Sequence, residues 1–93
     1  MRVQATRFEW DERNAGHIRE KHGLSPENVE EVFFNLPVVR RVRGGRLAAY
    51  GRTDEGRYLT VVFILKPGGV IRVITARDMN RWERRYYRQR RRS

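Results

Sequence analysis

The sequence predicts an α+β domain in which two helices precede an antiparallel meander of four strands and a third helix ends the chain. Three observations support this fold class. Apolar residues recur every three or four positions over residues 11–34, as in a helix that buries one face. After Pro37 the period becomes two, as in a strand, with turn residues at hairpin intervals. A chain of 93 residues has room for one core, so residues 1–93 form a single domain.

Capping residues mark both N-terminal helices. In WDERNAGHIREKHG, Asp11 is a good N-cap and Gly23 fits the left-handed position that ends a helix. In LSPENVEEVFFNLP, Ser25 is the N-cap and Pro26 the first helical residue, where a missing backbone N–H costs nothing. We expect this second helix to end between Asn35 and Pro37.

Four alternating stretches predict the meander. They are VVRRVR at 38–43, RLAAYGRT at 46–53, RYLTVVFIL at 57–65 and VIRVITA at 70–76. In the third stretch both the odd and the even positions are mostly apolar, so both faces of that strand are expected to be buried. We therefore place it nearest the centre of the sheet. The sequence also leaves open a short additional strand from Val3 to Phe8.

The C-terminal helix is expected to begin after Asp78 as N-cap. Met79, Trp82 and Tyr86 follow helical spacing, so we expect them to pack on the core instead of stacking on bases. Residues 88–93 form a basic tail that frays into solvent.

The composition excludes several classes of site. Without cysteine the chain has no disulfide, thiolate nucleophile or cysteine-ligated zinc. Two histidines do not predict a metal site, and no motif predicts a cofactor. Apolar runs stay far below the roughly 20 residues of a membrane helix. The N-terminus has charges where a signal peptide has its apolar stretch, so we expect a soluble cytoplasmic protein with no membrane contact.

The net charge of +10 is concentrated in the second half of the chain. Residues 1–39 carry five basic and seven acidic side chains, whereas residues 40–93 carry sixteen basic and four acidic ones. Of the 21 basic residues 19 are arginine, whose planar fork binds phosphate in a bidentate way. The second half is therefore expected to meet a polyanion, either nucleic acid or an acidic protein.

Strand alternation predicts a basic, partly aromatic sheet face. Tyr50 and Arg52 point to the same side of their strand, and Arg72 lies in an apolar strand near the middle of the sheet. If the two helices cover one face, the other would offer guanidinium groups for phosphates and rings for bases. The alternative is a solvated face of arginines paired with acids. Some of the arginines of the first strand, which are Arg40, Arg41 and Arg43, would join this face.

His17 and His22 lie in one predicted helix, but their spacing argues against a shared metal ion. Five residues turn a helix through about 500°, which leaves the rings about 140° apart. In Lys21-His22-Gly23 the helix end delivers a lysine and an imidazole to the surface. The alternative is that His22 packs on the core and Lys21 complements the helix dipole.

Seven short stretches between residues 7 and 88 follow a specific order and spacing. They are Phe8-Glu9-Trp10-Asp11, Lys21-His22-Gly23, the helix from Val29 to Phe34, Gly51-Arg52-Thr53, the strand after Gly56-Arg57, Arg72-Val73-Ile74-Thr75-Ala76-Arg77, and Glu83-Arg84-Arg85-Tyr86. Together they resemble the BrnT family of bacterial toxins. The resemblance implies a fold similar to the RelE ribonucleases and a type II toxin that arrests translation by cutting RNA. It also implies a partner, the ribbon-helix-helix antitoxin BrnA, and leaves open whether the RNA is free or on the ribosome.

The resemblance implies functional roles for the residues that match the family's pattern, which are Trp10, Lys21, His22, Arg52, Arg72, Arg77 and Glu83. The roles that follow, and the further residues Tyr50, Arg41, Arg43, Arg81 and Arg85, are expected from the chemistry of the side chains. We expect Arg52 and Arg72 to hold the phosphate, because cleavage by the neighbouring 2′-OH needs cations, a base and an acid but no cofactor. His22 or Lys21 would transfer protons, and Tyr50 would stack or act as an acid. The residues expected to bind RNA are Arg41, Arg43, Arg77, Arg81 and Arg85, and those expected to orient others are Trp10 and Glu83.

Asn14 and His17 depart from the family pattern, which more often has a basic residue at the first position and an asparagine just after the second. Two other functions are compatible with the same basic surface. One is nucleic-acid binding without cleavage, which would weaken steeply with salt. The other is a module that binds an acidic antitoxin.

Overall fold

The fold is known from a computed structural model, which describes residue 3, residue 5 and residues 7–92, with the side chain of Arg92 excepted. Its helices are α1 (Glu12–His22), α2 (Pro26–Phe34) and α3 (Arg81–Arg92). Its strands are β1 (Arg7–Glu9), β2 (Val38–Arg41), β3 (Leu47–Arg52), β4 (Tyr58–Lys66) and β5 (Val70–Asp78), and a short 3-10 turn spans Arg43–Gly45. The predicted α+β order of two helices, four strands and a helix is confirmed.

The five strands form one mixed sheet in the order β1-β5-β4-β3-β2. Strands β2 to β5 form the predicted antiparallel meander, and β4 lies at its centre as expected. The additional N-terminal strand exists as β1, which overlaps the predicted range at residues 7 and 8 and pairs parallel to β5, with Arg7 opposite Val70 and Glu9 opposite Arg72. Residues 4 and 6 of the predicted range lie outside the described residues. Among the described residues, no helix is long and apolar enough to span a membrane.

Helices α1 and α2 begin and end at the predicted caps. The Asp11 carboxylate accepts hydrogen bonds from the backbone N–H groups of Arg13 and Asn14, and the Ser25 hydroxyl accepts one from the N–H of Asn28. Gly23 ends α1 with φ of 63°, the left-handed conformation that costs glycine least. Both helices pack on one face of the sheet, where the main core lies. That core comprises Ile18, Leu24, Val29, Val32, Val39, Ala49, Leu59, Val61, Phe63, Ile71, Val73 and Ala76.

Helix α3 packs on the opposite face of the sheet, over β2 and β3. The expectation that Asp78 caps this helix is wrong, because Asp78 ends β5 and the Asn80 side chain accepts the hydrogen bond from the Glu83 N–H. The face of α3 that packs on the sheet also differs from the predicted one. Met79 and Tyr87 are buried, whereas Trp82 is 50% exposed, so its predicted place in the core is wrong.

Candidate functional site

Helix α1 lies beside the edge of β5 that β1 leaves uncovered. Strand β1 pairs only with the first three residues of β5, so the edge beyond Arg72 faces α1. The buried Asn14 amide fastens the two elements, since its Nδ2 donates to the Val73 carbonyl at 2.9 Å and to the Glu9 carbonyl at 3.0 Å. Its Oδ1 accepts the Asp11 N–H at 2.8 Å. One amide therefore positions β1, α1 and β5 together.

A groove of about 330 Å³ runs between α1 and β5, and we call it the α1–β5 groove. His17 reaches into it with Nε2 at 3.0 Å from Thr75 Oγ1. His17 is exposed, so a bound molecule can reach the ring. The lining residues are Arg13, Asn14, His17, Arg72, Val73, Ile74 and Thr75.

The His17 and His22 rings meet edge to face, with centroids 5.7 Å apart and planes at 72°. The expectation that helical spacing holds these rings apart is wrong. Both histidines lie within α1, so their side chains lean toward each other despite the angle between their positions on the helix. Among the described residues, no group of three or more potential ligands could hold a metal ion.

Arg13, His17 and Lys21 follow one another at spacing four along α1, and all three are exposed. Within the described part of the chain, the side chains of Arg13 and Lys21 make no hydrogen bond or ion pair. They flank the His17 imidazole with two positive charges. The spacing of four is the signal by which His17 could have been selected from sequence, but the ring contact with His22 could not.

Arg72 stands in the groove wall as an ion-paired residue that is 21% exposed. Its Nη1 donates to Asp11 Oδ2 at 3.0 Å and to Glu9 Oε1 at 3.2 Å. The hydrogen bond from Arg72 lowers the pKa of Asp11, and hydrogen bonds from Lys66 and Arg72 lower the pKa of Glu9. The sequence predicted a sheet face with unpaired guanidinium groups, and the expectation is wrong for Arg72, which is paired with two carboxylates.

Arg52 lies at the other end of the sheet from Arg72. Arg52 is opposite Tyr58 on β4, whereas Arg72 is opposite Ile64. Six residues of strand separate these levels, or about 20 Å at roughly 3.3 Å per residue. The structure therefore does not bring the two arginines to one phosphate. Arg52 lies over the Tyr58 ring at 5.8 Å.

Tyr50 and Arg77 are covered or paired, which corrects the expected open sheet face. Tyr50 is 1% exposed beneath α3, and its hydroxyl accepts a hydrogen bond from Arg40 Nε at 3.0 Å. Arg77 donates to both carboxylate oxygens of Glu83, at 2.7 and 2.9 Å. Glu83 thus orients Arg77, as the sequence suggested.

The remaining predicted residues lie at the periphery. Trp10 donates from Nε1 to Glu30 Oε2 at 2.8 Å, which ties the start of α1 to α2. The predicted RNA-binding arginines that are exposed on β2, the 3-10 turn and α3 are Arg41, Arg43, Arg81 and Arg85.

Comparison with known proteins identifies the family to which this chain belongs. A family model described as "Ribonuclease toxin, BrnT, of type II toxin-antitoxin system" matches residues 10–83. The chain belongs to the BrnT family. BrnT proteins are described as ribonuclease toxins of type II toxin–antitoxin systems, so an antitoxin partner is implied.

A solved BrnT structure supports the same assignment. The chain resembles the Brucella abortus ribonuclease toxin BrnT, known from a crystal structure at 1.1 Å resolution, with a TM-score of 0.69 and 25% sequence identity. The match covers 81% of this chain and 97% of that one. A comparison with curated proteins found no match. The likeness of the BrnT fold to the RelE ribonucleases stays a prediction.

Most predicted site residues fall inside the BrnT match. Lys21, His22, Arg52 and Arg72 lie within it, as do Trp10, Arg77 and Glu83. Arg85 and the basic end of α3 lie beyond residue 83. Asn14 is a buried amide that bonds the backbone of β1 and of β5.

Proposed function

We propose that this member of the BrnT family is an endoribonuclease that cuts RNA in the α1–β5 groove without a metal or other cofactor, and that it inhibits translation in the cytoplasm. The observation that carries the proposal is the pair of imidazoles on α1, with ring centroids 5.7 Å apart and His17 exposed in the groove. Family membership supplies the reaction class.

The proposed reaction needs only proton transfers and positive charge. A 2′-hydroxyl loses its proton to a base and its oxygen attacks the adjacent phosphorus. The bond to the 5′-oxygen then breaks, and that oxygen takes a proton from an acid, leaving a 2′,3′-cyclic phosphate. Two neighbouring imidazoles supply one base and one acid when one is neutral and the other protonated.

His17 takes the leading part in proton transfer, because Thr75 Oγ1 fixes its ring at 3.0 Å inside the groove. His22 is its partner, and Lys21 and Arg13 hold the phosphate and stabilise the charge that gathers on it during attack. Arg72, held by Glu9 and Asp11, positions the groove wall and offers its remaining N–H groups to the phosphate.

The other predicted residues act away from the reacting atoms. We assign Tyr50 to positioning Arg40, because its buried hydroxyl accepts a hydrogen bond from that side chain. Arg52 would contact RNA at the far end of the sheet. Trp10 and Glu83 orient their partners, and the exposed arginines attract flanking phosphates. These arginines are Arg41, Arg43, Arg81 and Arg85, with Arg77 contributing from its pair with Glu83.

The antitoxin partner follows from the family, and we propose that it is a BrnA-like protein with a ribbon-helix-helix domain. The strongly basic second half of the chain supports an acidic binding segment in that partner. Binding of this kind would keep RNA away while the two proteins are together.

The decisive experiment incubates purified protein with a defined RNA and scores 2′,3′-cyclic phosphate ends with and without EDTA. Cleavage should persist in EDTA and should fall by at least about 100-fold in His17→Ala, since positioned proton transfer contributes 10²–10⁴-fold. His22→Ala and Arg13→Ala should also lose activity. Arg46→Ala is the matched control, because Arg46 is an exposed arginine in a turn outside the groove.

Three outcomes would contradict the proposal. They are full activity in both histidine variants, loss of activity in EDTA, and tight salt-sensitive RNA binding by the wild type without any cleavage. The last outcome would favour a nucleic-acid-binding module over a nuclease.

A further inference from the structure

An exposed tryptophan stands in the first turn of α3. Trp82 is 50% exposed, although tryptophan is usually well covered. It stacks on Tyr86 with ring centroids 5.4 Å apart and planes at 14°. The two rings lie one helical turn apart. Trp82 is the exposed member, and the half-buried Tyr86 supports it from behind, with the Arg90 guanidinium carbon 5.1 Å from the Tyr86 centroid.

Arg40 fixes this surface from the neighbouring strand. Its guanidinium carbon lies 5.2 Å from the Trp82 centroid and 5.7 Å from the Tyr86 centroid. Its Nε donates to the hydroxyl of the buried Tyr50 at 3.0 Å, so the cation is held from below. We call Arg40, Trp82 and Tyr86 the aromatic platform.

Helix α3 carries exposed arginines on either side of Trp82 and Tyr86 in the chain. Arg81, Arg85 and Arg88 are exposed, and within the described part of the chain their side chains have no hydrogen bond or ion pair. Glu83 is the acid of α3, and its carboxylate is buried in the pair with Arg77. The rim therefore attracts phosphates, while the exposed ring offers a planar apolar surface.

We propose that the aromatic platform binds an unpaired RNA base by stacking, next to phosphates held by the arginines of α3. Stacking of a base on an aromatic ring together with an arginine is a common way to hold single-stranded nucleic acid. A protein partner is the weaker choice, because one half-exposed indole supplies little of the area that a stable protein interface buries. The base would belong to a nucleotide flanking the one that is cut, because the platform shares no residue with the α1–β5 groove.

This inference rests on RNA being the substrate, but its test does not require cleavage. The probe is a short 2′-O-methyl oligoadenylate, which has no free 2′-hydroxyl and cannot be cut by the proposed reaction. A matched oligonucleotide of equal length and charge has abasic sites in place of the bases. The chain has two tryptophans, so Trp10→Phe leaves Trp82 as the tryptophan fluorophore.

The oligoadenylate should quench Trp82 fluorescence saturably, and the abasic oligonucleotide should not. In the otherwise unchanged chain, Trp82→Ala should weaken oligoadenylate binding about tenfold, the typical loss of one stacked base, and Trp82→Phe should retain most of the affinity. Phe34→Ala is the matched control, since Phe34 is an aromatic residue that is 72% exposed and lies outside the platform. It should leave binding unchanged.

Equal affinity for the two oligonucleotides, or unchanged oligoadenylate binding in Trp82→Ala, would overturn the proposal that the platform binds a base. Loss of antitoxin binding in Trp82→Ala with intact oligoadenylate binding would assign this surface to the protein partner and also overturn it. The two proposals fail separately. Saturable quenching of Trp82 in Trp10→Phe, together with a wild type that cuts no RNA, refutes the nuclease and supports the platform. Cleavage by the wild type with no effect of Trp82→Ala on oligoadenylate binding refutes the platform alone.

Discussion

Asn14 joins the first helix to the last strand through one hydrogen bond, from its Nδ2 to the carbonyl of Val73 at 2.9 Å. This bond lies under the α1–β5 groove, so His17 keeps its position because Asn14 keeps α1 in place. Stability and the proposed activity are therefore coupled at a residue that touches no substrate.

Asn14→Ala should destabilise the protein by about 2–3 kcal/mol, because it leaves the carbonyls of Val73 and Glu9 without their partner. Asn28→Ala is the matched control. Asn28 holds the same third position in the cap of α2, but among the described residues its side chain bonds the Ser25 N–H alone, so we expect a loss of about 1 kcal/mol. Urea unfolding measures both, and equal losses would contradict the role of Asn14.

Glu83→Gln should lower stability by about 1–2 kcal/mol near neutral pH, because a neutral amide replaces the carboxylate that accepts from Arg77 and the Asn80 N–H. Burial raises the pKa of Glu83, but these hydrogen bonds outweigh it, and the pKa lies below 4.5. A lowered folded pKa gives stability that is fully present above 4.5 and is lost as pH falls through the folded value. The difference between wild type and variant should therefore shrink in acid.

Thermal unfolding as a function of pH checks the Glu83 prediction. Glu12→Gln is the control, since Glu12 is also an acid in the first turn of a helix but its pair with Arg19 at 3.5 Å is exposed. Its effect on stability should be small at every pH. A pH-independent loss in Glu83→Gln would show that packing, not charge, sets the contribution of Glu83.

Arg72→Ala should raise the pKa of the Asp11 carboxyl toward its ordinary 3.8, since the hydrogen bond from Arg72 lowers it. Cleavage should fall as well, because Arg72 lines the groove. Lys66→Ala is the comparison. Among the described residues the Lys66 side chain bonds Glu9 alone, so its removal should raise the pKa of Glu9 while leaving that of Asp11 unchanged. Carbon-detected NMR titration of the carboxyl groups measures both. An unchanged Asp11 pKa in Arg72→Ala would exclude the ion pair.

Two glycine-to-alanine changes should have opposite effects. A Cβ at Gly51 would lie 2.9 Å from Val32 Cγ1, where α2 approaches β3, so Gly51→Ala should cost about 1–3 kcal/mol. A Cβ at Gly16 meets only side-chain ends at 3.5 Å or more inside α1, so Gly16→Ala should stabilise by about 0.5–1 kcal/mol. Chemical unfolding of both proteins tests the pair. Destabilisation by both would mean that α1 has no room at Gly16.

The sequence predicted the candidate site in part. Lys21 is exposed at the end of α1 and His22 is half-buried, where the sequence left both a surface and a core position of His22 open, and Glu83 is paired with Arg77. The open basic face was not confirmed, because α3 folds over Tyr50. That outcome depends on how a helix packs on a distant strand, which alternation within the strand does not reveal.

By itself, the sequence determined the features that depend on neighbouring residues. Asp11 and Ser25 cap their helices, Gly23 ends one, and the doubly apolar stretch became the central strand, because caps, turns and periods are set within a few positions. The tertiary structure decided the pairings between distant residues. Arg72 meets Glu9 across 63 positions, and Trp82 is exposed because packing of α3 on the sheet turns Glu83 inward instead. Such contacts depend on the relative placement of whole elements, a property that no local pattern encodes.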